Sequence, residues 1–272
     1  MITVHASGRT DPGRERANNE DAFAITDLTT GTVLTAGAEG AYEASNGAVL
    51  LAVSDGMGGA SAGEVASSIT IETLRTALAA GLAGGQTENL LRTSIVEANR
   101  KVQEAARQPG RDGMGATLTA VVVQDDRAFV AEVGDSRAYL LRSGRIAQVT
   151  RDQSYVQLLM DSGALTAEQA RDFPQKNIIL QAVGVDPAVR PALGTFQLRR
   201  GDRLILCSDG LSNELSDEEL RQLGSAEGAL PVLCEKLVRA ANEHGGKDNV
   251  TVVLATFDGD GLEEPERGSI HV

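Results

Sequence analysis

The constraint that most limits this fold is the shortness of the turns between its apolar runs. Residues 116–123 (Ala-Thr-Leu-Thr-Ala-Val-Val-Val) are separated from the run 127–133 by Gln124-Asp125-Asp126 alone, and Ser143-Gly144 closes the run 137–142. Connections this short join antiparallel neighbours, because a parallel return needs on the order of a dozen residues. Other strand-like runs stand at 48–53, 193–198, 203–207 and 249–256. Helical periodicity occupies separate stretches. These are 62–80; 88–107, where Leu91, Ile95, Ala98, Val102 and Ala105 share one face; and 231–243, stopped by Gly245-Gly246. Ser216 and Glu219 have capping-box spacing at the start of one more helix. Strand runs and helix pairs are grouped rather than strictly alternating. That predicts an α+β fold, a four-layer sandwich of two antiparallel β-sheets flanked by α-helical layers.

Composition narrows the function classes. Asp and Glu number 38 against 25 Lys and Arg, a net charge of −13, which argues against a nucleic-acid-binding surface. No run approaches the ~18 apolar residues of a membrane span, and the N-terminus lacks a basic segment followed by an apolar one. A cytoplasmic protein is expected. Cys207 lies in the apolar run Leu204-Ile205-Leu206-Cys207 and reads as a core thiol; with Cys234 it makes no disulfide framework. From about Asp258 the chain becomes polar and acidic, so a domain over 1–257 is expected to end in a flexible acidic tail, 258–272. Residues 150–181 form a mixed polar segment between strand blocks, a candidate flap over a site.

Acidic residues recur where apolar runs end. Asp55-Gly56-Met57-Gly58-Gly59 follows Ala48-Val49-Leu50-Leu51-Ala52-Val53, and Asp209 follows Leu204-Ile205-Leu206-Cys207-Ser208. Glu20-Asp21, Asp135 and Asp248 occupy similar positions. A lone Asp-Gly is ordinarily a turn. Five acidic sites at strand ends weaken that reading, since the strands of one sheet can bring their ends to one locus. His5, His244 and His271 belong to none of these motifs, so a histidine-rich zinc site is not expected. An all-oxygen site suits Mg²⁺ or Mn²⁺. Two such ions can acidify a water and clamp a phosphoryl group. Arg16 is then either a phosphate ligand or an ordinary surface arginine, and its spacing leaves both open.

Seven motifs now stand in order: Arg16…Asn19-Glu20-Asp21-Ala22, Asp55-Gly56-Met57-Gly58-Gly59, Gly115-Ala116-Thr117, Gly134-Asp135-Ser136-Arg137-Ala138-Tyr139, Thr150-Arg151-Asp152-Gln153-Ser154, Ser208-Asp209-Gly210-Leu211 and Asp248-Asn249-Val250-Thr251. In this order the chain resembles the metal-dependent serine/threonine protein phosphatases of type 2C, in their compact bacterial form. The resemblance implies a phosphatase catalytic domain with a flap at about 155–181 and a dinuclear Mn²⁺ or Mg²⁺ site. It implies that Asp55 bridges both ions with help from the Gly56 carbonyl, that Asp209 and Asp248 hold the first, and that Glu20 and Asp21 serve the second and its waters. Asp135 matches the position for a possible third ion, shared with Asp209, and Arg16 that of the phosphate ligand. The implied reaction is hydrolysis of phosphoserine and phosphothreonine by metal-activated water, with catalysis resting on Arg16, Asp21 and Asp55. The implied partners are phosphorylated proteins, a serine/threonine kinase and its substrates among them, met by a monomer.

Three positions depart from that pattern. Met57 stands where some relatives carry a histidine, Gln153 replaces the histidine of Thr-Arg-Asp-His-Ser, and Gln181 lies where bacterial relatives often have arginine. Residues 27–47 read as a longer hairpin or loop than the compact form needs. Two rival readings share the motifs. A pseudophosphatase would bind phosphoproteins without turnover, and the complete set at Asp21, Asp55, Asp209 and Asp248 argues against it. A phosphatase of an anti-sigma-factor antagonist is opposed by the Arg16 motif and the flap.

Overall fold

The computed structural model describes residues 1–45, 47–58, 62–82, 86–171 and 173–265. Four strands open the chain: β1 (Thr3–Asp11), β2 (Asp21–Asp27), β3 (Glu39–Glu43) and β4 (Val49–Met57). Helices α1 (Ala62–Gly81) and α2 (Thr87–Ala106) follow. Then come β5 (Gly115–Ala116), β6 (Leu118–Gln124), β7 (Arg127–Val133), β8 (Arg137–Arg142) and β9 (Arg145–Gln148). Short helices α3 (Tyr155–Asp161) and α4 (Ala167–Arg171) lead to β10 (Ala192–Gln197) and β11 (Arg203–Cys207). Helices α5 (Asp209–Ser212), α6 (Asp217–Gly224) and α7 (Leu230–Glu243) precede β12 (Val250–Asp258).

The strands form two sheets, ordered β3-β1-β12-β11-β8-β9 and β10-β7-β6-β4-β2, with β5 paired to the end of β4. All pairings are antiparallel; short turns join β6 to β7 and β8 to β9, whereas the turn between β7 and β8 passes from one sheet to the other. Alternate residues of each central strand serve different cores. In β4, Val49, Leu51 and Val53 pack between the sheets, while Leu50 and Ala52 pack beneath α1 and α2. In β12, Val253, Ala255 and Phe257 face the other sheet, and Val250, Val252 and Leu254 face α7. Burial on both faces explains why these strands read as unbroken apolar runs instead of alternating ones. The predicted stripe of α2 is buried at Leu91, Ile95, Ala98 and Val102. The capping box of α6 is closed by Glu219 N–H to Ser216 Oγ and Ser216 N–H to Glu219 Oε2. The four-layer α+β sandwich is the architecture observed.

Three segments differ from expectation. β1 and β2 do not announce themselves as apolar runs, because Ser7, Gly8, Arg9 and Thr10 interrupt the first, and in the second Asp21, Thr26 and Asp27 leave only Ala22-Phe23-Ala24-Ile25 apolar. The 27–47 segment, apart from Asn46, which is outside the described residues, takes the hairpin form of its two readings and adds a strand to it. Asp27 Oδ1 accepts from Thr29 N and Thr30 N to close a turn, Val33 bridges Thr26, and β3 adds an edge strand to β1. The acidic tail does not detach at Asp258. Leu262 is 3% exposed within the inter-sheet core, and Glu263 O accepts from Arg200 N. An apolar side chain placed among charged neighbours anchors them, which a reading of charge alone overlooks; residues 266–272 lie outside the described set.

Glu132 is a buried acid between the sheets, 1% exposed. Its Oε2 accepts from Arg151 N at 2.7 Å, and its Oε1 has no partner. Burial, reinforced by Asp152 and Asp135, pushes its pKa up to about 9, from an ordinary 4.5. The folded protein therefore holds a proton that the unfolded chain releases, so Glu132 favours folding fully only below about pH 4.5, and that contribution is lost as pH rises towards 9. Glu132→Gln mimics the neutral form; its denaturation midpoint is expected to exceed the parent's increasingly between those pH values, and parallel pH profiles would refute the assignment. Leu262→Ala is expected to lose about 2–4 kcal/mol of unfolding free energy in urea titration, as buried leucine truncations do; a loss near zero would mean the tail is a passive extension.

Candidate active site

One end of the sandwich collects strand ends from both sheets. Asp55 lies near the end of β4, and Asp21 opens β2 directly across the ladder from it. Asp135 sits in the tight turn between β7 and β8, Asp209 is the first residue of α5 just past β11, and Asp248 precedes β12. A pocket of about 430 Å³ is lined by Arg16, Glu20, Asp55, Gly56, Asp135, Asp209 and Asp248 among others. Asp21 lies behind its wall, 8% exposed. The structure thus brings together all eight residues singled out in the sequence. Gly59 of the glycine motif lies outside the described residues.

Close backbone approach explains the glycine at position 56. A Cβ there would stand 2.1 Å from the Gly63 carbonyl oxygen and 2.6 Å from that of Glu20. The first turn of α1 can therefore pack against the end of β4, and Ser67 Oγ reaches the Glu20 carbonyl at 2.6 Å. Gly13, at φ +81°, lies so near Asp248 that a Cβ would come within 2.2 Å of its carbonyl oxygen.

Three uncharged residues organise the charged ones. Asn249 Oδ1 accepts from Glu20 N at 2.8 Å, while its Nδ2 donates to Pro12 O and Asn18 O, tying the 12–20 strap to the start of β12. Thr117 Oγ1 accepts from Asp55 N at 3.0 Å and shares a hydrogen bond with Ser136 Oγ, linking β4 to the Asp135 turn. Ser208 Oγ donates to Asp21 Oδ2 at 2.7 Å and accepts from Thr251 N. All three stood inside the sequence motifs. Their neutral side chains carry no chemistry of their own, so residue type gave no reason to single them out.

The basin is electrostatically strained. Burial, opposed by hydrogen bonds from Thr251 and Ser208 and reinforced by Asp209 and Asp248, pushes Asp21 up to about 7. Burial and then Asp21, Asp209, Asp135 and Asp248 hold Asp55 well above the carboxylate range. Asp135 rises to about 7 through burial, Asp209 and Asp152, against the pull of Arg137. Asp209 is raised by burial and Asp248. Arg16 offers partial relief at the rim, where Nη2 donates to Asp248 Oδ2 at 2.7 Å with the arginine side chain 56% exposed.

These donors fit a hard divalent cation. The acidic groups are oxygen-only and crowded, and bound cations are what reverses such pKa shifts. Asp21 Oδ1 and Asp209 Oδ1 are buried without a hydrogen-bond partner. Among the described residues, no three His, Cys, Asp or Glu side chains are grouped so as to hold a metal ion by themselves. The carboxylates line an open basin, an arrangement suited to ions that keep several waters.

Comparison with known proteins agrees with this geometry. The family model for protein phosphatase 2C matches residues 13–255. The serine/threonine protein phosphatase PstP of Mycobacterium tuberculosis is 37% identical over 258 residues, which cover 93% of this chain and 45% of that protein. The chain thus spans less than half the length of that relative. The serine/threonine phosphatase stp of Listeria monocytogenes is 35% identical over 94% of this chain and 96% of its own. The crystal structure of the PstP catalytic domain in complex with two manganese ions matches with a TM-score of 0.80 at 35% identity, covering 95% of this chain and 100% of that one. With a match that runs through every strand end facing the basin, the chain belongs to the protein phosphatase 2C family.

Proposed function

We propose that this chain hydrolyses phosphoserine and phosphothreonine monoesters on proteins with two Mn²⁺ or Mg²⁺ ions in the carboxylate basin. The observation that carries the reading is the convergence of Asp55, Asp135, Asp209 and Asp248, from both sheets, on one pocket with an arginine at its rim. Asp55, with the Gly56 carbonyl, would serve both ions. Asp209 and Asp248 would hold the first, Glu20 and Asp21 would serve the second and its waters, and Asp135 with Asp209 would take a third. When bound, such ions neutralise phosphoryl oxygens and lower the pKa of a water that attacks phosphorus in line.

The chain's own residues supply the rest. Arg16 spends Nη2 on Asp248 and keeps further guanidinium donors for a phosphate, so it can bridge substrate to basin. Met57 lines the pocket and can neither accept nor donate a proton, so a proton taken up by the leaving serine or threonine oxygen comes from another source, water in this reading. Cys207 and Cys234 are buried, with burial pushing their thiols up to about 12 and about 11, which removes them as nucleophiles. In this reading the partners are phosphoproteins, including a serine/threonine kinase whose marks are removed, and the chain works as a cytoplasmic monomer. Among the described residues, no helix is long and apolar enough to cross a membrane.

Hydrolysis of a phosphothreonine peptide is expected to require added Mn²⁺ and to stop in chelator. Asp55→Ala and Asp209→Ala are each expected to lower kcat/KM by more than about 100-fold, since losing even an outer-shell partner of a metal costs 10–100-fold. Metal-independent turnover, or full activity in either variant, would sink the assignment. Tight phosphopeptide binding without turnover would favour the pseudophosphatase. Arg16→Ala is expected to raise KM several-fold with a smaller effect on kcat, because the lost contact is made to the bound ground state as well; parent-like kinetics would make Arg16 an ordinary surface arginine.

A further inference from the structure

Gln153 and Gln181, the two flap-side departures from the type 2C pattern, meet in the structure. Near them the arms of the 155–181 excursion run antiparallel. Leu180 N donates to Gln153 O at 2.7 Å, Tyr155 N to Ile178 O at 2.8 Å, and Ser154 bridges Ile179. Gln153 also grips the turn that carries Asp135. Its backbone N donates to Gly134 O at 2.7 Å, and its side-chain Oε1 accepts from Gly134 N at 3.0 Å. The same Oε1 accepts from Gln181 Nε2 at 2.9 Å. Gln181 Nε2 donates further to Arg190 O at 2.8 Å, and Gln181 Oε1 accepts from Arg190 N at 2.7 Å.

Backbone N–H groups can only donate, so the orientation of both amides is fixed from outside. Gly134 N selects the oxygen of Gln153, Arg190 N selects the oxygen of Gln181, and the contact left between them is then N–H to oxygen. Both donors and the oxygen of Gln181 are used. Glutamate would offer no donor, arginine no acceptor, and asparagine is one methylene shorter. Gly134 has little room to drift. It stands at φ +99°, and a Cβ there would lie 2.8 Å from Thr117, whose Oγ1 receives the Asp55 amide.

We infer that the Gln153–Gln181 carboxamide pair is a positioning device that clamps the flap base onto Gly134 and thereby sets where Asp135 stands in the basin. The inference rests on reading the basin as a Mn²⁺ or Mg²⁺ site. Flap and carboxylate then form one mechanical unit: a substrate that leans on the flap displaces Asp135, and an ion held by Asp135 stiffens the flap. The coupling runs through backbone and neutral amides, the kind of partner that orients a ligand without touching the metal.

Gln181→Leu removes all three side-chain hydrogen bonds, while Gln181→Arg retains donors for Gln153 Oε1 and Arg190 O. The test is Mn²⁺ calorimetry on the metal-stripped 272-residue chain, with tryptic cleavage at Lys176 followed in the same metal-free samples. Gln181→Leu is expected to weaken the weakest resolved Mn²⁺ binding step by about 10-fold, the scale of an outer-shell loss, and to speed cleavage. Gln181→Arg is expected to recover most of both, falling short of the parent by the lost bond from Arg190 N. Parent-like Mn²⁺ binding in Gln181→Leu, whatever its cleavage, overturns the coupling. If Gln181→Leu does not fold, the milder Gln181→Asn must show the same direction in both readouts, and parent-like values there overturn it. If the parent binds no Mn²⁺, the functional reading falls and the clamp is judged on cleavage alone. Faster cleavage in Gln181→Leu, reversed in Gln181→Arg, then upholds it, and unchanged cleavage removes it.

Discussion

Asp21 and Asp55 face each other across the ladder between β2 and β4, and like charges in that position repel. The rest of the molecule exists around that unfavourable contact. Asp209, Asp135 and Asp248 add to it from other strand ends. What holds the group together is apolar. Val49, Leu51 and Val53 on one face of β4, and Leu50 and Ala52 on the other, place the strand between two cores, so its end cannot retreat from the charge it carries. A site that resists its own assembly in this way is preorganised for cations, because their binding relieves a repulsion the fold has already imposed.

Neutral groups translate that core into local precision. Asn249 ties the strap bearing Arg16 and Glu20 to β12, Thr117 ties Asp55 to the Asp135 turn, and Gln153 ties that turn to the flap. Glycines make these ties short enough. Gly13, Gly56 and Gly134 each lie against other backbone or a threonine side chain where a Cβ would clash. Charge therefore defines what the basin does, and small polar residues with glycines define where each charge stands.

The sequence made the architecture legible where both faces of a strand are buried. β4, β6, β7, β8, β11 and β12 appear as apolar runs, and α2 shows its stripe because that face packs on a sheet. β1 stayed hidden because it buries Ser7, whose Oγ donates to Ala38 O, as fully as its valine. β3 stayed hidden as a short edge strand with glutamates at both ends. The acidic site residues were legible as strand-end motifs, their convergence only as a possibility, since which ends meet depends on strand order. The Gln153–Gln181 contact was not legible at all. It joins positions 28 apart through side-chain amides, and no periodicity records such a pairing.

The N-terminus and the segment following β12 meet at the other pole of the sandwich. Gly261 packs against Ile2, Gly259 lies against the Met1 carbonyl, and Leu262 shares a core with Ile2 and Val4. From there β1 runs nine residues to Asp11, beside the strap that borders the basin. Its eight steps at about 3.3 Å each span roughly 26 Å. A segment joined before Met1 would begin its path a full strand length from the carboxylates. A tether, fused module or affinity tag at the N-terminus would leave the opposite pole, with its carboxylates, unobstructed.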